Sequence, residues 1–273
     1  MKPLFYTIIL LFSAQFSSAQ ELFVFTEPAS NMPAKSLGFR NMTMIGTGGS
    51  NNQTNVHIMP EVMVGFNNKW MAHVQGFLSN VNNKFVAEGF SSYVKYRFLS
   101  NDEVHEHFRM AAFARASYNN ALVHQDEIET MGHNSGFETG IIATQLLHKT
   151  ALSTSVSFER AIYNNIDPKD AGQPNSAINY TFSFGQLLLP KVYSNYQQTN
   201  VNFMVELLGQ RLINSHKSYL DIGPSVQFIF NSVTRLDFGF RTPIYSNMER
   251  TSTNLYLIKV EHNLFNVLKR KKK

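Results

Sequence analysis

Apolar and polar residues alternate with period two along most of the chain. Val56, Ile58, Val62, Val64 and Phe66 alternate with His57, Met59, Glu61, Met63 and Gly65. Ile178, Tyr180, Phe182 and Phe184 alternate with Asn179, Thr181, Ser183 and Gly185. Leu236, Phe238 and Phe240 alternate with Arg235, Asp237, Gly239 and Arg241. Such alternation marks strands with one apolar and one polar face, and helical spacing is not sustained anywhere. The pattern predicts twelve strands, over 36–45, 55–66, 70–79, 85–99, 104–118, 135–147, 151–162, 177–188, 200–210, 218–230, 233–244 and 252–265. Most are longer than the five or six residues usual in a soluble sandwich and match the roughly 9–11 residues a membrane-crossing strand needs.

The connections alternate as well. Short turns are predicted at 67–69, 100–103, 148–150 and 231–232. The intervening set is mostly longer, at 46–54, 119–134 and 163–176, with shorter members at 80–84, 211–217 and 245–251. The segment 189–199 is long where a short turn is expected. Short turns on one side and long loops on the other are the habit of outer-membrane barrels with both termini in the periplasm. The expected fold is therefore all-β, an antiparallel transmembrane β-barrel of about twelve strands with periplasmic termini, over residues 35–268.

In an inside-out barrel the apolar face meets lipid and the polar face lines the lumen. The lumen candidates are Lys95, Arg97, Arg109, Arg115, Glu206, Asp221, Arg235, Asp237 and Arg241. Glu88 falls on the apolar face, near the outer end of its strand. Pro60 and Pro224 share that face, and each removes a ladder donor, so a local bulge is expected at both.

Residues 1–19 read as a secretory signal peptide: Lys2, an apolar run from Leu4 to Phe12, and small residues at Ser17 and Ala19 before the cut. Residues 20–34 are assigned to a periplasmic N-terminal segment that has no strand to offer the barrel and either stays in the periplasm or plugs it. No later run reaches the length of an apolar transmembrane helix.

Composition narrows the function. The chain has 273 residues and no Cys, which excludes disulfides, thiolate metal sites and a Cys nucleophile. The net charge of +5 comes from the basic tail 269–273; without it, basic and acidic residues balance at 19 each. A nucleic-acid partner, which needs basic residues spread over a contact face, is not expected.

Few constellations suggest chemistry. His105-Glu106-His107 lacks the spacing of the helical zinc motif and reads as polar residues at a strand rim. No Gly-x-Ser-x-Gly elbow or phosphate loop is present. His57, Met59, Glu61 and Met63 share a predicted face with Met71, His73 and Gln75, and closing the turn at 67–69 opposes Met63 to His73. Met59, Met63, Met71 and His73 together are a candidate set for a soft ion such as Cu(I); the same methionines also serve as fillers of irregular space. No cofactor is expected.

The final strand, 252–265, is amphipathic and ends at Phe265, which resembles the assembly signal read by the barrel-assembly machinery, although the chain continues to Lys273. With the stretches 21–40 and 220–241, the chain resembles small bacterial outer-membrane barrels of transporter-like type, similar to those of the phenol meta-cleavage pathway. The resemblance implies passive passage or binding of a small solute, a partnership with outer-membrane lipid, and an association with metal efflux. A barrel enzyme acting on lipid and a soluble periplasmic β-sandwich binding protein are the alternatives.

Overall fold

The computed structural model describes residues 23–49, 54–80, 84–104, 106–121, 125–162, 174–192 and 197–268. The predicted signal peptide, the basic tail and His105 lie outside the described residues. Twelve strands form: β1 (Ser36–Thr47), β2 (Asn55–Gly65), β3 (Trp70–Ser79), β4 (Val86–Asp102), β5 (Glu106–Asn119), β6 (Gly136–Leu147), β7 (Thr150–Ala161), β8 (Ser176–Leu189), β9 (Asn200–Leu212), β10 (Ser218–Phe230), β11 (Thr234–Ser246) and β12 (Asn254–Leu264). Each pairs antiparallel with its neighbour, and β1 pairs with β12 from Leu37↔Leu264 to Thr47↔Asn254, closing the barrel. Closure satisfies every edge by pairing, the condition for a sheet to sit in hydrocarbon.

The alternation places the faces. Val62, Val74, Phe90, Ile141, Val156, Phe182 and Ile258 are exposed on the outside, while Glu61, Gln75, Lys95, Glu206, Gln227 and Asp237 are buried inside. An apolar exterior around a polar interior is the reverse of a soluble protein and is stable only where lipid replaces water. Exposed aromatic residues gather toward the two rims. Phe66, Trp70, Phe98, Phe108 and Phe230 lie at the end that carries the chain termini; Phe85, Tyr118, Phe137, Tyr180 and Tyr245 lie at the end that carries the longer loops. Trp70 and Tyr96 stack with ring centroids 4.5 Å apart. Amphipathic rings at both rims suit the two membrane–water interfaces.

Two local expectations are corrected. Glu88 is buried inside, not on the apolar face, and donation from Ser79 Oγ satisfies it. The register of β3 against β4 shifts between Phe77↔Gly89 and Leu78↔Ala87, so Glu88 is the extra residue of a bulge that turns its side chain inward. Pro60 and Pro224 cause no bulge. The β2–β3 ladder skips from Ile58↔Leu78 to Glu61↔Gln75, and the β10–β11 ladder from Ile222↔Thr242 to Ser225↔Gly239, each with the register kept; the β10 bulge sits at Leu220/Asp221. A missing donor thus opens a gap in the ladder without adding a residue.

Candidate functional site: a barrel filled from both ends

The N-terminal segment does not hang below the barrel. From Lys35, at the rim beside β1, residues 23–34 run up inside the lumen, and Phe23, Val24 and Ala29 are buried there. The segment pairs as a strand with nothing. Side chains from the wall hold its backbone instead. Glu206 on β9 accepts the amides of Val24 (2.9 Å), Phe25 (2.8 Å) and Thr26 (2.9 Å), and the Thr26 hydroxyl (2.6 Å). Lys259 on β12 donates to the carbonyl of Val24 at 2.7 Å, and Lys95 on β4 to those of Pro28 (2.7 Å) and Ser30 (2.9 Å). The Ala29 amide donates to Thr144 Oγ1 at 2.9 Å, and Arg109 donates to Ser30 Oγ at 2.8 Å. Glu27 reaches Arg40 on β1 at 2.8 Å. Burial alone would raise the Glu27 carboxyl; the Arg40 guanidinium and Lys95 ammonium outweigh it and hold the group well below the usual carboxylate range.

The wall is shaped for this segment. A Cβ at Gly223 would lie 2.8 Å from the Phe25 ring, and one at Gly239 2.7 Å from it. Two neighbouring strands thus leave out their side chains where the ring sits. Phe23 and Val24 pack with Met42, Met44, Met59, Phe77, Met204 and Leu257.

From the opposite end, the connection between β5 and β6 folds inward. Ion pairs hold it. Arg250 Nε donates to Glu127 Oε2 at 2.8 Å, and Arg241 Nε to Asp221 Oδ2 at 2.6 Å. Arg250 also pairs with Asp221 at 2.9 Å and lies 4.2 Å over the Tyr219 ring. Burial would raise the Glu127 carboxyl, but Arg250 and Arg241 win and lower it to about 2. Further along, Thr130 donates from both its amide and its hydroxyl to Glu159, and Gln210 exchanges two hydrogen bonds with the Ile128 backbone, at 3.0 and 2.7 Å. Ile128 is buried among Ala161, Ala177, Leu212, Tyr219 and Met248.

Between the two inserts lies a cavity of about 190 Å³, bordered by Phe25 and Glu27, by Ile128 and Met131, and by wall residues that include Arg115 and Tyr93. Arg115 lies 5.4 Å over the Tyr93 ring and 3.6 Å from Glu138; among the described residues its Nε and Nη1 find no hydrogen-bond partner, nor does the Tyr93 hydroxyl.

The candidate lumen residues divide by what they touch. Lys95 and Glu206 clamp the N-terminal segment. Asp221 and Arg241 anchor the inward loop. Arg115 borders the cavity. Arg235 and Asp237 form a wall network with Glu261 and Lys259, with Arg235 Nη2 3.0 Å from Glu261. Arg109 pairs with Asp102 at 2.7 Å near the terminal rim, where Arg97 stands opposite Ala111. His107, also at that rim, pairs with Asp102 at 2.9 Å. Four residues that carry much of the geometry were not among the sequence candidates. Arg40 and Lys259 follow from the alternation of β1 and β12. Glu127 and Arg250 lie in loops, where no period marks them.

Among the four candidate metal residues, Met63 and His73 do face one another across β2 and β3. His73 lies against Glu61 and stacks on Tyr93 at 4.3 Å. Met59 belongs to the apolar cluster around Phe23, four residues up its strand from Met63, or about 13 Å at a strand's rise. Met71 is buried opposite Gly65 and Lys95. The structure does not gather the four around one point. Among the described residues, no group of three or more His, Cys, Asp or Glu could hold a metal ion.

No protein-family model matches the sequence, and comparison with curated proteins gives no match. Solved structures do match in fold. A NanC porin is 12% identical with a TM-score of 0.50, covering 84% of this chain and all of that one. A KdgM porin is 10% identical with a TM-score of 0.45, covering 83% of this chain and 98% of that one. At this identity the likeness to the NanC porin is one of fold alone.

Proposed function

We propose that the chain is a bacterial outer-membrane barrel for passive passage or binding of a small solute, without catalysis. The observation that carries this reading is the cavity of about 190 Å³ inside a closed, lipid-facing barrel. A water's share of liquid volume is about 30 Å³, so the space suits a solute of a few heavy atoms. The end with the chain termini faces the periplasm and the end with the longer loops faces outward, as the parity of short turns and long loops requires. Arg97, Arg109, Arg115, Arg235 and Asp237 set the field along the path. The strand ending near Phe265 engages the barrel-assembly machinery, and the apolar band meets outer-membrane lipid. The names of the matched porins agree with this reading.

Single-channel recording of the refolded protein tests it. Discrete openings that respond to small solutes are expected, together with recovery in the outer-membrane fraction. A soluble protein, or turnover of a lipid ester by the folded barrel, would point to one of the alternatives.

A further inference from the structure

We propose that the barrel interior is a binding site for an extended peptide segment, filled in cis by residues 23–30, and that the segment leaves reversibly to clear the lumen. This rests on the reading of the barrel as a solute path.

Four observations carry it. First, the barrel is complete without the segment: β1 and β12 pair directly over eleven residue pairs, and no strand borrows a ladder partner from 23–34. Second, the contacts are of a kind that recognises a peptide. One carboxylate gathers three successive amides, two lysines cap carbonyls, and a pocket floored by Gly223 and Gly239 takes the Phe25 ring. Third, among the described residues the segment's backbone bonds to strand backbone only at its lower end, where Lys35 with φ of 59° donates to the Gly65 carbonyl. Both polar atoms of the Asn31 side-chain amide lack a hydrogen-bond partner among the described residues. Fourth, release leaves no charge stranded in a dry core. Arg40, which loses Glu27, keeps Glu61 at 2.7 Å; Glu206, Lys95 and Lys259 face the lumen, and water entering the space the segment vacates hydrates them, which removes the penalty that would otherwise lock a buried charge to its partner. The inward loop has no such freedom, because both of its ends continue into strands.

The absence of Cys makes the test direct. Thr26 Oγ1 and Ser183 Oγ lie 2.9 Å apart. The full chain carrying Thr26→Cys and Ser183→Cys should form a disulfide that locks the segment in place. Ala29→Cys with Thr144→Cys, at positions brought together by the 2.9 Å bond from the Ala29 backbone amide to Thr144 Oγ1, provides a second lock should the first pair disturb folding. The oxidised protein is expected to be silent in single-channel recording, and reduction to raise open probability at least tenfold. In the singly substituted Thr26→Cys chain, a maleimide in solution should label the thiol, and adding Glu206→Gln should speed labelling. Equal conductance of the oxidised and reduced forms would overturn the proposal, as would a Thr26→Cys thiol that never labels in the folded protein. Labelling without any conductance after reduction would uphold release and overturn the solute-path reading instead.

Discussion

The two inserts that fill this barrel are fastened by different physics. The loop at 125–135 is held by charge against charge: Glu127 sits between Arg250 and Arg241, and Asp221 takes both guanidiniums. The segment at 23–34 is held mainly by charged side chains against neutral backbone, with Glu27 as its one charged anchor, to Arg40 and Lys95. Removing one member of a buried ion network leaves the rest uncompensated, which costs several kcal/mol. A charged group that loses a backbone partner in a wettable lumen loses only the difference between that hydrogen bond and one to water. One insert is therefore a fixed part of the wall and the other a guest in it.

The sharpest way to break the comparison is at Glu127. Glu127→Ala leaves Arg241 and Arg250 facing each other with one carboxylate between them. We expect about 3–5 kcal/mol lost from loop docking, read as accelerated amide exchange over 125–135, with protection of Val24–Thr26 largely kept. Acid should reproduce the effect. Arg250 and Arg241 hold the folded Glu127 carboxyl below its ordinary 4.5, so its contribution is fully present above about pH 4.5 and is lost as pH falls below that. Loop protection unchanged between pH 6 and pH 2.5 would show that the network does not anchor it.

Filling the pocket under Phe25 attacks the guest alone. Gly239→Leu places a side chain where the ring now lies 2.7 Å from the ideal Cβ position. Overpacking of this kind costs about 1–3 kcal/mol. The expected result is protease access to residues 23–34 in the folded barrel, with the loop still protected. Glu206→Gln is gentler. The amide keeps an acceptor but gives up the charge, worth about 1 kcal/mol across the cluster of amides, so exchange at Val24, Phe25 and Thr26 should quicken about fivefold. No change there would mean that the Phe25 pocket, and not the carboxylate, holds the segment.

The wall was legible in the sequence and the inserts were not. All twelve strands lie within three residues of their expected ends, and the opposition of Met63 to His73 followed from the turn at 67–69. A period of two reports which residues face inward, because it is a property of the backbone. It does not report what those residues touch. Lys95 and Glu206 read as residues lining the lumen, yet the structure puts the chain's own backbone against them. Residues 23–34 carry no period, and their partners lie up to 236 positions away, at Lys259. Glu88 shows the same limit on a smaller scale, since a single bulged residue reverses the face on which a strict alternation puts it.

The smallest expected effect bears on whether the two inserts sense one another. They meet at one apolar cluster: Phe23 and Val24 from the segment belong to it with Met59 and Met204, and Met131 from the loop packs against it. Phe23→Ala should loosen the segment and Met131→Ala the loop. If the contact is shared, the double variant will differ from the sum of the two by about 0.5 kcal/mol or more, the threshold at which neighbouring residues depart from additivity. Amide exchange read at Thr26 and at Thr130 gives both sides of the cycle in one protein. Coupling would mean that departure of the segment relaxes the loop, so that opening at the end with the chain termini also changes the constriction at the other end. Strict additivity would make the loop a fixed filter that stays in place whether or not the segment is bound.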